Sequence, residues 1–378
     1  MKGSGIVAHA LHSYYGRENL PGGRSSRIAE SPSRSRPVHA FSLLDSDIEH
    51  PVSDVIVERS IRGLGARGLR FLAVRTLRGA KRRRFAASQF DLHTARRIAY
   101  LDPGSVSILH IWNRLPRTVD AARRRHPGVV VLRDVSIARE HDFELGDHIS
   151  IENEAVDLFV SPSAYASEQL IAWGIPPEKL VEVPFGVDTE RFRPRSSAAA
   201  SPDAECPVRF AFAGAVSGRK GIPSLLRVWK RLSLDHAELH LYGTVKPEVQ
   251  PWLEGVPRVY THGFLDLTEE LPKNDVFAFP STREGSSKAV YEALASGLAV
   301  ITTPNAGSVV RDGEEGILVP PEDEAALEEA IVYLYENAEA RQRMGAMART
   351  RAEAFTWERY ARRVWQIYEA SKELCSRT

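Results

Sequence analysis

Residues 208–233 read VRFAFAGAVSGRKGIPSLLRVWKRLS, a largely apolar run that leads through a glycine-bearing connection into a second pattern. The first run is short and nearly continuous in apolar character, which predicts a strand buried in a parallel sheet. In the second part Leu225, Val228, Trp229 and Leu232 recur at the spacing of one helix face. A strand leading into a helix is the building unit of sheets that are covered by helices.

The same unit recurs on both sides of this stretch. Downstream, five further apolar runs predict strands, with helical patterns between several of them: AELHLYG, VPRVYTHGF, NDVFAFPS, LAVITTP and GILVPP. Upstream, the predicted strands are SGIVAHA, SVSILHIW, GVVVLRD, AVDLFVSP and LVEVPFG, and the predicted helices are LPRTVDAARRRH and AYASEQLIAWG. Strand and helix in alternation predict an α/β protein with two doubly wound, Rossmann-like domains.

The segment RPRSSAAASPDAECP (193–207) separates the two halves, and it has no apolar periodicity. Its Ser, Ala and Pro content is typical of a linker. We therefore predict an N-terminal domain over 1–192, a linker over 193–207 and a C-terminal domain over 208–356. The last segment, 357–378, carries apolar residues at helical spacing, and we expect this helix to pack back on the N-terminal domain. Two such domains enclose a cleft, and ligands of open α/β sheets bind beyond the carboxyl ends of the strands.

Composition excludes several classes of protein. The 378 residues are 43% hydrophobic and 26% charged, which is ordinary for a globular chain and argues against a disordered or fibrous one. Two cysteines cannot build a disulfide framework, and their spacing fits no zinc motif. No run approaches the ~20 apolar residues of a membrane-spanning helix. The short apolar run near the N-terminus lacks a signal-peptide cleavage site, so we expect a cytoplasmic protein.

The formal net charge of +1 conceals an uneven distribution. Residues 1–100 carry 18 Lys or Arg against eight Asp or Glu, and residues 59–84 carry ten basic residues and no acidic one. Part of this basic segment (59–84) can be drawn as an amphipathic helix, which predicts docking on the anionic inner face of a membrane. The alternative is a solvated helix face paired with the acidic remainder of the chain. No nucleic-acid partner is expected, because the segment carries no recognised motif and few aromatic residues.

The connection after the strand NDVFAFPS is the richest in chemistry. It reads FPSTREGSSKAVYEALASG (279–297), and we name residues 280–287 the acidic loop. Glu284 precedes a predicted helix that starts near Lys288, and Glu292 lies about one turn inside it. A helix N-terminus attracts phosphate, and carboxylates can accept hydrogen bonds from sugar hydroxyls. The alternative is that Ser286 or Ser287 merely caps the helix and both glutamates are solvated.

A second connection follows the strand VRFAFA, and we name residues 214–221 the cation loop. Its glycines bracket Arg219 and Lys220, two adjacent cations that can neutralise a diphosphate. The alternative is a solvated pair of basic side chains. The P-loop pattern G-x-x-x-x-G-K-[ST] is absent, and so is the dinucleotide fingerprint G-x-G-x-x-G with a following acid.

Taken together, three stretches in this order resemble the family 4 retaining glycosyltransferases, which have the GT-B fold. The stretches are GIPPEKLVEVPFGVDTERFRP, AGAVSGRKGIPSLLRVWKRL and DVFAFPSTREGSSKAVYEALASGLAVITTPNAGSVVRDGEEGILVPPED. The third contains the E-x7-E pattern of that family. The resemblance covers about 160–378 well and the earlier part only in outline.

The resemblance implies a role for each matching residue. Lys220, with Arg219, would bind the diphosphate of a UDP- or GDP-sugar donor, Glu284 the transferred sugar and Glu292 the ribose. Backbone groups of the helix N-terminus would meet the phosphates at Gly285, Ser286, Ser287, Lys288 and Ala289. Gly22 and Gly23 would face the donor across the cleft, and His110 would line the sugar site. Gly263 and Phe264 lie where backbone of the family contacts the base.

Three positions depart from the family pattern. Ala215 stands where an Arg is common, and Ser287 replaces the Pro of E-G-x-P. The strand GVVVLRD ends in Arg133 and Asp134 where a His-Asp pair is common, and His141 would take the place of that histidine.

We therefore expect a retaining, metal-independent sugar transfer to the hydroxyl of a sugar or lipid-linked acceptor, in glycan, glycolipid or cell-surface polysaccharide synthesis. No cofactor is expected beyond the nucleotide-sugar donor. Adjacent cations and helix N–H groups would stabilise the leaving diphosphate in place of a divalent ion. Two alternatives remain at this point: a GT-B-fold epimerase or phosphorylase, and a nucleotide- or glycan-binding protein without turnover.

Overall fold

The computed structural model of the chain describes residues 6–11, 38–42, 55–59, 79–112, 114–135, 154–195 and 206–375. These residues form two parallel sheets with helices packed on them. One sheet comes from each half of the chain, which confirms the predicted α/β architecture of two doubly wound domains.

The N-terminal sheet has seven parallel strands in the order β3-β2-β1-β4-β5-β6-β7. The strands are β1 (Ile6–Leu11), β2 (Val38–Ser42), β3 (Val55–Arg59), β4 (Val106–Ile111), β5 (Val130–Asp134), β6 (Leu158–Ser161) and β7 (Leu180–Glu182). Its helices are α1 (Gly79–Tyr100), α2 (Pro116–Arg125) and α3 (Ala164–Ala172).

The C-terminal sheet has six parallel strands in the order β10-β9-β8-β11-β12-β13. The strands are β8 (Val208–Ala213), β9 (Ala237–Tyr242), β10 (Val259–Gly263), β11 (Val276–Phe279), β12 (Ala299–Thr302) and β13 (Gly316–Leu318). The helices are α4 (Ile222–Leu232), α5 (Leu267–Glu270), α6 (Lys288–Ala295), α7 (Glu324–Glu336), α8 (Ala338–Glu353) and α9 (Trp357–Cys375).

In each sheet the order of strands reverses at one point, between β1 and β4 and between β8 and β11. Such a switch point leaves a crevice, because the connections of the two neighbouring strands leave on opposite sides of the sheet. The cation loop follows β8 and the acidic loop follows β11. The topology therefore brings the two loops of interest to the same crevice, although about sixty residues separate them in sequence.

The last helix, α9, joins the two domains. Tyr360, Val364, Trp365 and Tyr368 are buried, as expected for one apolar face. The Tyr360 hydroxyl lies 3.4 Å from Asp134 Oδ2 at the end of β5, so α9 contacts the N-terminal sheet. Just before α9, the Val187 N–H donates to the Phe355 carbonyl at 2.9 Å, so the two chain crossings between the domains run side by side.

The structure departs from the predicted elements mainly in the first hundred residues. Strands β2 and β3 and helix α1 were not predicted, because short strands and an arginine-rich helix give weak periodicity. The stretch LVEVPFG forms only the three-residue β7, since Pro184 has no N–H for further pairing. The predicted domain limits stay predictions, and 196–205 of the linker lies outside the described residues.

The basic segment falls mostly outside the described residues. Arg59 ends β3 and residues 79–84 begin α1, while 60–78 are not described. Among the helices that the structure describes, none is long and apolar enough to cross a membrane. Docking of this segment on a membrane stays a prediction.

Candidate functional site

The cation and acidic loops are bonded to one another at the carboxyl ends of β8 and β11. The Arg219 carbonyl accepts from the Thr282 N–H at 3.1 Å and from the Thr282 hydroxyl at 3.0 Å. The Ser281 hydroxyl donates to the same carbonyl at 3.2 Å. One backbone carbonyl of the cation loop is thus held by two consecutive residues of the acidic loop, which fixes the two loops relative to each other.

Gly221 makes this close approach feasible. It has a φ of +73°, in the left-handed region, and it directly precedes α4. A Cβ at this position would lie far inside van der Waals contact with the carbonyl oxygen of Pro280. Both the backbone conformation and the contact therefore require glycine here.

The carboxylate of Glu284 is the centre of charge in the site. Its Oε2 accepts from Arg219 Nη1 at 2.8 Å and forms an ion pair with Lys220 Nζ. The same Arg219 nitrogen also donates to the Arg283 carbonyl at 2.7 Å. The Glu284 side chain is only 9% exposed, so the alternatives of a solvated glutamate and a solvated cation pair are wrong. Two cations meet one carboxylate, which leaves these three side chains with an excess positive charge.

Lys220 lies in a largely desolvated position. Its side chain is 12% exposed, and Nζ lies 4.6 Å from the centre of the Phe279 ring. Burial lowers the pKa of Lys220, while the neighbouring Glu284 carboxylate acts in the opposite direction. A buried ammonium group attracts an added anion more strongly than a hydrated ammonium group does, because little water remains to be displaced from it.

Helix α6 begins beside this charge cluster. Ser287 occupies the N-cap position, yet its side chain makes no capping hydrogen bond, so the interpretation of Ser287 as a simple cap is wrong. The first N–H groups of an α-helix have no partner inside the helix, and the helix dipole favours an anion there. Lys288 and Ala289 form the first turn, and Lys288 Nζ lies 5.2 Å from the centre of the Trp357 ring.

A third loop, residues 303–307, was not predicted to matter, and we name it the support loop. The Glu284 N–H donates to the Asn305 carbonyl at 2.8 Å, and the Ser287 N–H donates to the Ala306 carbonyl at 3.1 Å. The Asn305 side chain also donates to the Thr282 carbonyl at 2.8 Å. No motif marks these backbone contacts, so sequence analysis could not identify them.

The remaining predicted residues of the C-terminal domain lie around this cluster. Glu292 is partly buried on α6, and Ser286 is partly buried in the acidic loop. Gly263 has a φ of +66° at the end of β10, and its carbonyl accepts from the Gly243 N–H at 2.6 Å. Phe264, which follows it, is 86% exposed. Their roles in donor binding stay predictions.

His110 has a different environment. The ring is fully buried on β4, stacks on Trp112 with centroids 3.9 Å apart, and shares a hydrogen bond of 2.6 Å between Nδ1 and the Tyr368 hydroxyl. Asp134 is also buried. The structure thus brings His110 against α9, and its catalytic role stays a prediction. Gly22, Gly23 and His141 lie outside the described residues.

Within the described ranges, no group of three or more His, Cys, Asp or Glu residues is arranged to hold a metal ion. Cys206 is exposed and free. The expectation of metal independence stays a prediction, since it depends on the chemistry of the cation pair.

Comparison with known proteins agrees with this geometry. Residues 207–337 match the sequence profile of the glycosyl transferases group 1 family, and this range contains all three loops. The match covers about a third of the chain. The resemblance deduced from the motifs is confirmed.

Individual relatives extend the comparison. The chain is 31% identical over 236 residues to an MMP alpha-(1->4)-mannosyltransferase of Mycolicibacterium hassiacum, an alignment that covers 58% of this chain and 55% of the relative. The chain spans about half the length of the curated relatives it matches first.

Solved structures cover nearly the whole chain. Sucrose-phosphate synthase from Thermosynechococcus elongatus superposes with a TM-score of 0.74 at 20% identity, over 98% of this chain and 100% of that one. Anabaena HepE, solved with UDP and glucose, superposes with a TM-score of 0.69 at 15% identity, over 97% and 99% of the two chains. At such identities the likeness shows the fold alone, and that fold is GT-B.

Proposed function

We propose that the protein is a retaining glycosyltransferase that moves a sugar from a UDP- or GDP-sugar to a hydroxyl group of a sugar or lipid-linked acceptor. The observation that carries the proposal is the convergence of Arg219 and Lys220 on the single carboxylate of Glu284, three residues before the N-cap of α6. This convergence lies at the switch point of the sheet, where open α/β proteins bind nucleotides.

The electrostatics of the cluster suit a leaving diphosphate. When the sugar–phosphate bond breaks, negative charge grows on the diphosphate, and preorganised cations and helix N–H groups stabilise it. Lys220 and Arg219 would approach the diphosphate, and Glu284 would exchange part of its ion pairing for hydrogen bonds to the sugar hydroxyls. The cation pair would supply the charge that a divalent ion supplies in other transferases, so metal independence is part of the proposal.

Two experiments test which nucleotide base the donor carries and whether an acceptor is used. A thermal-shift screen with UDP, GDP, ADP and their sugars should give a selective rise in melting temperature for one base, because a ligand that binds only the folded state stabilises it. With that donor, we expect slow release of nucleoside diphosphate without an acceptor and faster release with one.

Lys220→Ala tests the catalytic assignment. We expect transfer to fall by about a hundredfold to a thousandfold, as for other lost transition-state charge contacts. Lys230→Ala, an exposed lysine of α4, is the matched control and should retain wild-type turnover. A folded Lys220→Ala protein with near-normal turnover would refute the role of this lysine.

The same measurements address a non-catalytic alternative, which is favoured by one observation: Ala215 follows Gly214, where the family often has Arg. A protein that binds a nucleotide-sugar tightly and never releases the nucleotide, whatever the acceptor, would be a binding module.

For the basic segment we propose contact with anionic membranes from the cytoplasmic side, consistent with a lipid-linked acceptor. Ten basic residues without an acidic one supply the charge. The protein should float with anionic vesicles and not with neutral ones, and absence from both floated fractions would contradict membrane docking.

A further inference from the structure

We propose that Ser163, at the start of α3 in the N-terminal domain, is a positioning residue that holds the acidic loop in register across the domain boundary. The inference rests on the proposed function for its kinetic consequence, although the clamp itself is a structural property. No motif of the sequence singles out this serine.

The Ser163 hydroxyl makes two bonds at once. It donates to the Gly285 carbonyl at 2.6 Å, and it accepts from the Ala166 N–H at 3.1 Å as the N-cap of α3. A hydroxyl has one proton and two lone pairs. The bond from the Ala166 N–H uses a lone pair, so the proton is available for the Gly285 carbonyl. The serine is 5% exposed, which protects both bonds from competition by water.

Ser163 itself is fixed in place by its own domain. Its carbonyl accepts from the Ser161 hydroxyl at 3.0 Å and from the Ser167 hydroxyl at 3.1 Å. Ser161 is the last residue of β6, so the anchor runs directly from the N-terminal sheet to the hydroxyl. A rigid donor of this kind can transmit the position of one domain to a loop of the other.

The contact completes a clamp that the support loop begins. Asn305 and Ala306 hold the N–H groups of Glu284 and Ser287, on either side of Gly285. Ser163 holds the carbonyl between these two points. Residues 284–287 are therefore held at three backbone groups by elements of both domains.

Gly307 of the support loop shows how closely this loop packs against Ser163 and the acidic loop. It has a φ of +61°, and a Cβ there would lie 2.7 Å from the Ser163 hydroxyl oxygen and still closer to the Gly285 carbonyl oxygen. Ser163, Gly285 and Gly307 thus meet without space for a further carbon atom.

This geometry separates two tasks of the site. The nucleoside diphosphate would depend on the cations and on the first turn of α6, whereas the transferred sugar would depend on Glu284. A clamp on Gly285 should therefore affect sugar positioning more than nucleotide binding. Loss of one hydrogen bond typically costs ~0.5–1.5 kcal/mol, so we expect kcat to fall about threefold to tenfold while the Kd of the nucleoside diphosphate changes by less than about twofold.

The first test is activity-independent. In Ser163→Ala, the amides of Glu284 and Ser287 should exchange hydrogen about threefold to tenfold faster than in wild type, because they report opening of the acidic loop. Glu168→Ala is the control, since Glu168 is an exposed residue of the same helix, and in this variant the amides of Glu284 and Ser287 should keep wild-type rates. Unchanged exchange at Glu284 and Ser287 in Ser163→Ala would overturn the proposal.

A second variant separates the clamp from helix capping. Ser163→Asp retains a good cap acceptor but sets a carboxylate against the Gly285 carbonyl, so it should open the acidic loop at least as much as Ser163→Ala. If Ser163→Asp behaved like wild type, Ser163 would be only a helix cap and the proposal would fail.

The exchange data, read together with turnover, also distinguish the clamp by Ser163 from the proposed transferase function. Faster exchange in Ser163→Ala together with a wild-type chain that turns over no nucleotide-sugar would uphold the clamp and reject the transferase function. Turnover in the wild type with equal kcat in Ser163→Ala and Glu168→Ala would uphold the function and reject the positioning role.

Discussion

The carboxyl ends of the two sheets are used in different ways. Beyond β8 and β11, Glu284 neutralises only part of the charge of Arg219 and Lys220, and the cluster is suited to an incoming anion. Near the carboxyl ends of β4 and β5, the polar side chains of His110 and Asp134 are buried and bonded to tyrosines of α9. Among the described residues, the strand ends of the C-terminal sheet thus offer charge to a ligand, whereas those of the N-terminal sheet hold a helix of the same chain.

The difference follows from what each polar group has as a partner. A buried cation with too few neighbouring carboxylates is stabilised further by an added anion, whereas the Nδ1 atom of His110 already has the Tyr368 hydroxyl as its partner. Similar strand ends therefore do not predict similar sites, and the partners contributed by distant segments decide the outcome.

We expect the largest effect from Glu284→Gln, which tests the charged end of the C-terminal sheet. Loss of the carboxylate should reduce transfer by about a hundredfold, because the hydroxyls of the transferred sugar lose the charged group that accepts their hydrogen bonds. Affinity for the free nucleoside diphosphate should stay equal or rise, since Arg219 and Lys220 are no longer neutralised. Steady-state kinetics and calorimetric titration measure the two effects, and weaker diphosphate binding would show that the cations do not face that ligand.

Gly221→Ala tests the junction of the cation and acidic loops. Alanine would have to adopt the left-handed backbone conformation of Gly221, and its Cβ would collide with the Pro280 carbonyl oxygen. We therefore expect the free energy of unfolding to fall by about 2 kcal/mol or more. Gly218→Ala is the control, since no atom lies within 4 Å of a Cβ there and its φ is not positive. Equal denaturation midpoints for the two variants would contradict the close packing of these loops.

Tyr368→Phe tests the packed end of the N-terminal sheet. Removal of the hydroxyl that bonds His110 Nδ1 should lower the free energy of unfolding by about 1 kcal/mol and leave diphosphate affinity unchanged. Burial raises the pKa of Tyr368 well above its ordinary value, so the phenol is protonated at neutral pH. A strong loss of transfer with no loss of stability would instead support the predicted place of His110 in the sugar site.

The smallest expected effect concerns pH. Burial lowers the pKa of His126 below its ordinary value of 6.5; Nδ1 accepts from the Val106 N–H at 3.4 Å, while Nε2 bonds the Ile98 carbonyl at 3.2 Å. The unfolded chain therefore takes up the proton first, and the free energy of unfolding should fall as the pH drops through 6.5.

His126→Gln should flatten this dependence in urea denaturation between pH 7 and pH 5. His240, which lies in the C-terminal sheet, also has a pKa lowered by burial, but it is only partly buried. His240→Gln should flatten the dependence less than His126→Gln. The reverse order would place the acid-sensitive step in the C-terminal domain.

Local patterns were sufficient for the C-terminal half. The run VRFAFA and the helical spacing of Leu225, Val228 and Trp229 predict β8 and α4 closely, and the glycines around Lys220 mark the cation loop. In the first hundred residues the same reasoning missed β2, β3 and α1. Short strands carry few residues to establish a period, and the arginines of α1 hide its apolar face.

The sequence by itself determined the fold class, the resemblance to a glycosyltransferase family and the residue types of the candidate site, because apolar periodicity and loop motifs are local properties of the chain. Only the tertiary structure decided which groups meet. Arg219 and Lys220 come to share one carboxylate of a loop about sixty residues away, and Ser163 reaches Gly285 from the other domain. These contacts depend on the order of strands in the sheets and on the position of one domain against the other, which no local pattern encodes.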